Sequence, residues 1–238
     1  MSLASVAGLR HDPGMKIPIL LLVMLPLVHA ARGEALFDGG SLDAWSFPEG
    51  SWVVEDGTLT CRMVEVKQKN GQRKTRGMGN IWTKGTYGDF DLSLSYKLSA
   101  GANSGVFYRT DKDNPVQGGF ELQLMDNEGF QKTHGKKDAR KLTGSFYDAK
   151  APSSDPSRPV GEWNSLRLSC RGPSVKIAVN GTQVIDVNVD DWDTPGGNPD
   201  GSTNKFKTAL KDLPRKGRIG LQNHGQVVWF KDIVIKRL

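Results

Sequence analysis

The sequence predicts an all-β protein: a two-sheet antiparallel β-sandwich of jelly-roll type with at most one or two short helices. Three observations carry that expectation. Apolar residues alternate with polar ones at period two in segment after segment, the breaks between segments are rich in Gly, Asn, Asp and Pro, and helical spacing stands out only once. The chain has 238 residues, 37% of them hydrophobic, enough for one buried core and too few for two ordinary ones.

From the N-terminus, the first element is an address. Met15 and Lys16 precede an apolar run from Ile17 to Val28, which ends in Val28-His29-Ala30. A basic start, a short greasy stretch and small residues at the cleavage positions are the layout of a secretory signal. The run is shorter than the roughly 20 residues needed to cross a bilayer. The expected organisation is therefore a signal over 1–30, cut after Ala30, and a single sandwich domain over 31–238, secreted or periplasmic, with no membrane span in the mature form. Of four histidines, His11 and His29 leave with the signal, so His134 and His224 remain.

Asp89 to Ser99 gives the clearest strand: Phe90, Leu92, Leu94, Tyr96 and Leu98 share one parity and Asp91, Ser93, Ser95 and Lys97 the other. Thr58 to Arg62, Val106 to Arg109, Phe120 to Leu124, Leu166 to Arg171 and Val227 to Ile235 read the same way. Val175 to Val179 and Thr182 to Val187 flank Asn180-Gly181, the residues a tight primed turn demands, and predict a hairpin. The single helical spacing, Phe206, Ala209, Leu210 and Leu213 closed by Pro214, predicts one short helix.

Two stretches read as excursions. Val64 to Gly79 carries Lys67, Lys69, Arg73, Lys74 and Arg76 and reads as a hairpin tip; Asp190 to Asn204 reads as a long surface loop. The basic tip could grip an anionic glycan, against the plainer account of a solvated loop. Cys61 and Cys170 fall on apolar parities and should point inward, as a bridge or as two buried thiols. His134, among lysines, reads as a loop histidine. Trp163 reads as a strand-edge core residue rather than a sugar platform.

A formal charge of +6, spread along the chain, argues against a nucleic-acid partner. GxSxG, HExxH, CxxC and phosphate-cradling glycine loops are absent, which removes serine-hydrolase and zinc-protease readings. What remains is polar and lies off the core parity. Asn103, Gly105, Phe107 and Arg109 share one face of a strand, and Glu121 and Gln123 face away from Phe120, Leu122 and Leu124. Along a strand Glu121 and Gln123 stand roughly 7 Å apart, and in a curved sandwich such a face can cradle a sugar. Asp126 breaks the parity and belongs at a strand end or bulge. The plainer account of all these positions is an ordinary solvent-facing strand surface.

Five motifs, in order along the chain, then carry a resemblance. They are Asn103-Ser104-Gly105-Val106-Phe107-Tyr108-Arg109, Glu121-Leu122-Gln123-Leu124-Met125-Asp126, Thr143-Gly144-Ser145-Phe146-Tyr147-Asp148, Gly161-Glu162-Trp163-Asn164 and Gly220-Leu221-Gln222-Asn223-His224-Gly225. With Leu36-Phe37-Asp38-Gly39, Leu42 and Trp45 at one end and Phe230 to Leu238 at the other, the chain resembles the 3-keto-disaccharide hydrolase family. The resemblance implies a concanavalin A-like sandwich acting on oxidised glycosides, as a 3-keto-glucoside lyase or hydratase. A ketone at sugar carbon 3 acidifies the proton on carbon 2. A base can then remove that proton and expel the carbon 1 substituent, after which water adds to the enone. This route needs an acid/base pair and a polarised carbonyl, not the two flanking carboxylates of an ordinary glycosidase.

In that frame Glu121 and His224 are the candidate catalytic acid/base groups. Arg109 and Asn103 suit orienting a carbonyl and hydroxyls, Gln123 and Gln222 can bridge vicinal hydroxyls, and Tyr147 lines the groove or is simply packing. Asp126, with Glu121, could bind a divalent cation through oxygen, but no metal and no cofactor are predicted. For His224 the alternative is a turn histidine; for Arg109 and Asn103 it is a salt bridge and a turn. A non-catalytic carbohydrate-binding module or lectin-like domain, and a secreted assembly domain, are the competing functions.

Overall fold

The computed structural model describes residues 33–135 and 138–238; the signal expected over 1–30 lies outside the described residues. In chain order the strands are β1 (Glu34–Phe37), β2 (Trp45–Ser46), β3 (Trp52–Glu55), β4 (Thr58–Cys61), β5 (Met63–Lys67), β6 (Arg73–Gly77), β7 (Ile81–Thr83), β8 (Phe90–Leu98), β9 (Asn103–Thr110) and β10 (Phe120–Met125). Helix α1 (Asn127–His134) follows, then β11 (Asn164–Arg171), β12 (Ser174–Val179), β13 (Thr182–Asn188), β14 (Arg218–Leu221) and β15 (Val228–Arg237).

An eight-stranded antiparallel sheet runs β13-β12-β11-β8-β15-β4-β3, with β1 also pairing β15; a five-stranded sheet runs β10-β9-β14-β7-β2. The large sheet turns Phe90, Leu92, Leu94, Leu166, Leu168, Ile177, Phe230 and Ile235 inward, and the small one turns Val106, Tyr108, Phe120, Leu122, Leu124, Ile219 and Leu221 against them in one apolar core. Alternation along each strand forces this layering, because only one parity of each can reach the space between two stacked sheets. Asn180 and Gly181 turn the β12–β13 hairpin with φ of 48° and 81°, as the Asn-Gly pair requires.

Several expectations change. Phe206, Leu210 and Leu213 are buried, but the segment forms only a 3-10 turn over Leu210–Asp212. The α-helix is instead α1, where Asp126 Oδ1 caps the Gly129 N–H and Phe130 stacks on His134 at 4.4 Å. His134 is thus a helix residue. The Asp190–Asn204 stretch is anchored by Trp192, only 4% exposed, whose Nε1 donates to Asn198 Oδ1 at 2.8 Å. Cys61 and Cys170 are two buried free thiols, and burial pushes the Cys170 thiol up to about 12. Trp163 lies on the outside of the large sheet, with Lys231 Nζ 4.5 Å from its ring centroid. No described helix is long and apolar enough to cross a membrane.

Candidate active site

The face of the small sheet turned away from the core carries the polar motifs. Register sets them in rows. Glu121 pairs with Phe107, Phe107 with Gly220 and Gly220 with Trp82, so the four share one face. One row along, Gln123 pairs with Gly105, whose carbonyl accepts the Gln222 N–H at 2.9 Å. Two glycines make room in this grid. A Cβ on Gly105 would lie 2.6 Å from Glu121 Oε1, and one on Gly220 would collide with the Trp82 ring. Trp82 consequently lies flat enough to stack on Phe107, with centroids 5.4 Å apart.

Glu121 is the centre of the array, 6% exposed. Gln222 Nε2 donates to its Oε1 at 3.3 Å, and Lys205 Nζ lies 3.6 Å from its Oε2. Gln123 Nε2 donates to Asn103 Oδ1 at 2.8 Å. The carbonyl oxygens of both glutamines, Gln123 Oε1 and Gln222 Oε1, are buried without a hydrogen-bond partner among the described residues. Natural folds seldom leave such acceptors unpaired; the Tyr96 and Tyr108 hydroxyls are likewise unpaired but lie in the apolar core, whereas these two lie on the face that carries Glu121.

A second layer closes over Glu121. The segment after α1 runs beside the free edge of β10: Gly144 N–H donates to Gln123 O, and Tyr147 N–H to Glu121 O at 2.9 Å. This covers the sheet edge and holds the Tyr147 ring next to the carboxylate. Asp148 Oδ2 accepts the Lys205 N–H at 2.7 Å and Gln117 Nε2 donates to Lys205 O, so the loop delivers the Lys205 side chain to Glu121. Its Nζ lies 4.0 Å from the Tyr147 ring centroid, a cation–π contact. Burial lowers the Lys205 pKa, opposed by Glu121 and Asp148; burial raises that of Tyr147, reinforced by the same two carboxylates.

The structure therefore brings together Glu121, Gln123, Asn103, Gln222 and Tyr147. It moves three others. Arg109 is a correction. It sits on a β-bulge with φ of 48°, is fully buried, and donates to Gly88 O, Gly172 O and Asp89 Oδ1 at 2.7–2.9 Å. The bulge reverses its parity, so it joins the two sheets instead of facing the groove. Asp126 does stand at the strand end, but Gly101 N–H and Gly129 N–H occupy its two carboxylate oxygens. It is a helix cap, and no group of three potential metal ligands converges among the described residues. His224 is exposed on the connection after β14, two residues past Gln222, in a cleft walled by the β5–β6 hairpin.

Lys205 is what sequence reasoning missed. Its only local signal is Trp192 and Phe206, large apolar residues bracketing a loop otherwise suited to solvent.

The two stacked antiparallel sheets define a sandwich of concanavalin A-like architecture, with a buried polar array on the outer face of the smaller sheet. Residues 33–236 match the model of the 3-keto-alpha-glucoside-1,2-lyase-like domain, and the chain belongs to that family. It is 25% identical over 260 residues, spanning 99% of this chain and 88% of the relative, to a Bacteroides thetaiotaomicron protein named 3-keto-disaccharide hydrolase. Among solved structures it is similar to a provisionally named glycosyl hydrolase of Parabacteroides distasonis, with a TM-score of 0.76 and 28% identity, covering 87% of this chain and all of the other. The laminarinase catalytic domain of Thermotoga maritima shares the fold, with a TM-score of 0.50 and 14% identity over 87% of this chain and 100% of its own.

Proposed function

We propose that the protein cleaves 3-keto-glycosides by removing the proton at sugar carbon 2. Glu121 is the base. The electron pair released from the C2–H bond forms an enolate whose charge rests on the carbon 3 oxygen. Lys205, as an ammonium beside Glu121, donates to that oxygen, the role first sought in Arg109. The enolate then collapses to a carbon 1–carbon 2 double bond and expels the carbon 1 alkoxide, which takes up a proton on leaving. Addition of water, hydroxyl to carbon 1 and proton to carbon 2, gives the free 3-keto sugar, so elimination and hydration sum to hydrolysis.

Around the ring, Gln123 Oε1 and Gln222 Oε1 accept from sugar hydroxyls and Asn103 orients the same edge. These two unpaired carbonyls, buried on the face that holds Glu121, are the observation that carries the reading. The Trp82 ring, backed by the buried Phe107 on which it stacks, supplies an apolar floor for the sugar's C–H face. His224 lies within about 7 Å of chain from Gln222 and stands on the leaving-group side, suited to protonating the departing oxygen. We also propose export, on the Met15–Ala30 layout.

The test is incubation of purified protein with a 3-keto-disaccharide, following enone absorbance and sugar release. Both are expected in native protein. Tight binding of unoxidised oligosaccharides with no turnover of the keto sugar would instead establish a binding module. N-terminal sequencing of exported protein is expected to start at Ala31.

A further inference from the structure

The β5–β6 hairpin and the connection after β14 enclose a cleft of about 640 Å³, whose walls include Val64, Val66, Lys74, Arg76, Met78 and His224. Its composition follows from register. Val64 pairs with Arg76 and Val66 with Lys74, and directly opposed residues share a face, so this face carries two aliphatic side chains and two cations. The other face differs in having a carboxylate among its cations: Arg73 Nη1 lies on Glu65 Oε2 at 2.9 Å, beside Lys67. Lys74 and Arg76 have no carboxylate partner among the described residues, and none of the cleft's lining residues is acidic.

The cleft is fastened to the site. Asn223 Nδ2 donates to Arg62 O at 3.0 Å, just before β5. Gly77, the last residue of β6, lies so close to Asn223 that a Cβ would strike it. Both legs of the hairpin thus rest on the residue that follows Gln222, and Gln222 touches Glu121 at 3.3 Å. A sugar held over Glu121 has the hairpin cleft beside it.

We propose that this cleft is the leaving-group subsite and selects aglycones bearing an acidic group on an apolar body. The inference rests on the 3-keto-glycoside reading of the Glu121 site. Val64, Val66 and Met78 cover the apolar body; Arg76 and Lys74 meet the carboxylate or sulfate, the guanidinium in two parallel hydrogen bonds. His224 stands between the cleft and the reacting centre.

The experiment compares the 4-carboxyphenyl and 4-carbamoylphenyl 3-keto-glucosides, equal in shape and different in charge. Native protein is expected to show kcat/KM about tenfold higher for the acid at low ionic strength, a preference that shrinks with added salt. In the double variant Lys74→Gln/Arg76→Gln the ratio falls to near one, and in Lys74→Glu/Arg76→Glu it inverts. Turnover of both substrates at equal rates by native protein overturns the subsite while leaving the reaction intact. Turnover of neither overturns the reaction, and calorimetry then decides the cleft alone. A preference for 4-hydroxybenzoate over 4-hydroxybenzamide that the double variant loses supports the subsite; equal or absent binding overturns it.

Discussion

The two sheets bury their second faces very differently. In β8 of the large sheet, buried and partly exposed residues alternate without exception from Phe90 to Leu98, so Ser93, Ser95 and Lys97 meet water. In β10 of the small sheet all six residues are buried, Glu121 and Gln123 with them. Both strands carry the same period-two sequence pattern. A polar face in water needs no explanation, whereas a covered one must find partners for every donor and acceptor or leave them for a ligand. Glu121 spends its carboxylate on Lys205 and Gln222, and the two glutamine carbonyls are left over. The difference separates a polar surface that water satisfies from a covered one whose acceptors are not all paired.

The largest effect that could break this contrast is at Glu121. Glu121→Gln keeps the shape and removes the base, so kcat on a 3-keto-disaccharide should fall about 10²–10⁴-fold with little change in KM. Equal losses in kcat and in binding would make Glu121 a recognition group. Next comes Lys205. Lys205→Met removes the donor to the enolate oxygen, for an expected kcat loss of about 10²–10³-fold. The sign of its pH dependence follows from burial. Because burial lowers its pKa below the usual 10.5, the ammonium is lost at lower pH than for a free lysine, and the alkaline limb of kcat/KM should fall below 10.5. Burial shifts Tyr147 the other way, upward, so the two groups move in opposite directions. Glu121 counteracts the fall, so in Glu121→Gln the limb of any residual activity moves further down. Lys205→Arg, always charged, should abolish it.

Arg109 shows where the sequence stops being legible. Most of the longer strands, the β12–β13 hairpin turn and the core parity of β8, β10 and β11 could be read, because alternation records which side chains pack; which distant strands pair could not. The inward direction of Phe120, Leu122 and Leu124 was equally plain. That the opposite parity of β10 is covered could not be read, since the cover comes from Tyr147 and Lys205, distant in sequence and placed by backbone hydrogen bonds. Nor could the bulge at Arg109, where a positive φ on a non-glycine residue reverses one side chain while the residue pattern stays regular. The helix was misplaced for a related reason: α1 is built from polar residues on an Asp126 cap, so its period is faint, whereas Phe206–Leu213 has apolar spacing that a turn satisfies as well.

The corrected position of Arg109 gives a stability prediction. Arg109→Gln strips donors from two carbonyls and Asp89, and should cost about 2–4 kcal/mol in denaturant unfolding. The folded fraction should keep its KM. A selective rise in KM without loss of stability would return Arg109 to the groove.

The smallest effect sharpens the contrast most. Ser95 on β8 and Gln123 on β10 both occupy the parity facing away from the core, yet Ser95 is half-buried and Gln123 is 1% exposed. Ser95→Ala removes a hydroxyl that water already satisfies, so stability should change by less than about 0.5 kcal/mol and kcat/KM not at all. Gln123→Ala, at the equivalent parity, strands Asn103 Oδ1 and deletes an acceptor for the sugar, so it should raise KM and cost about 1–2 kcal/mol in unfolding. If the two substitutions behave alike, the covered face is no more specialised than the wet one, and Gln123 Oε1 was satisfied by water all along.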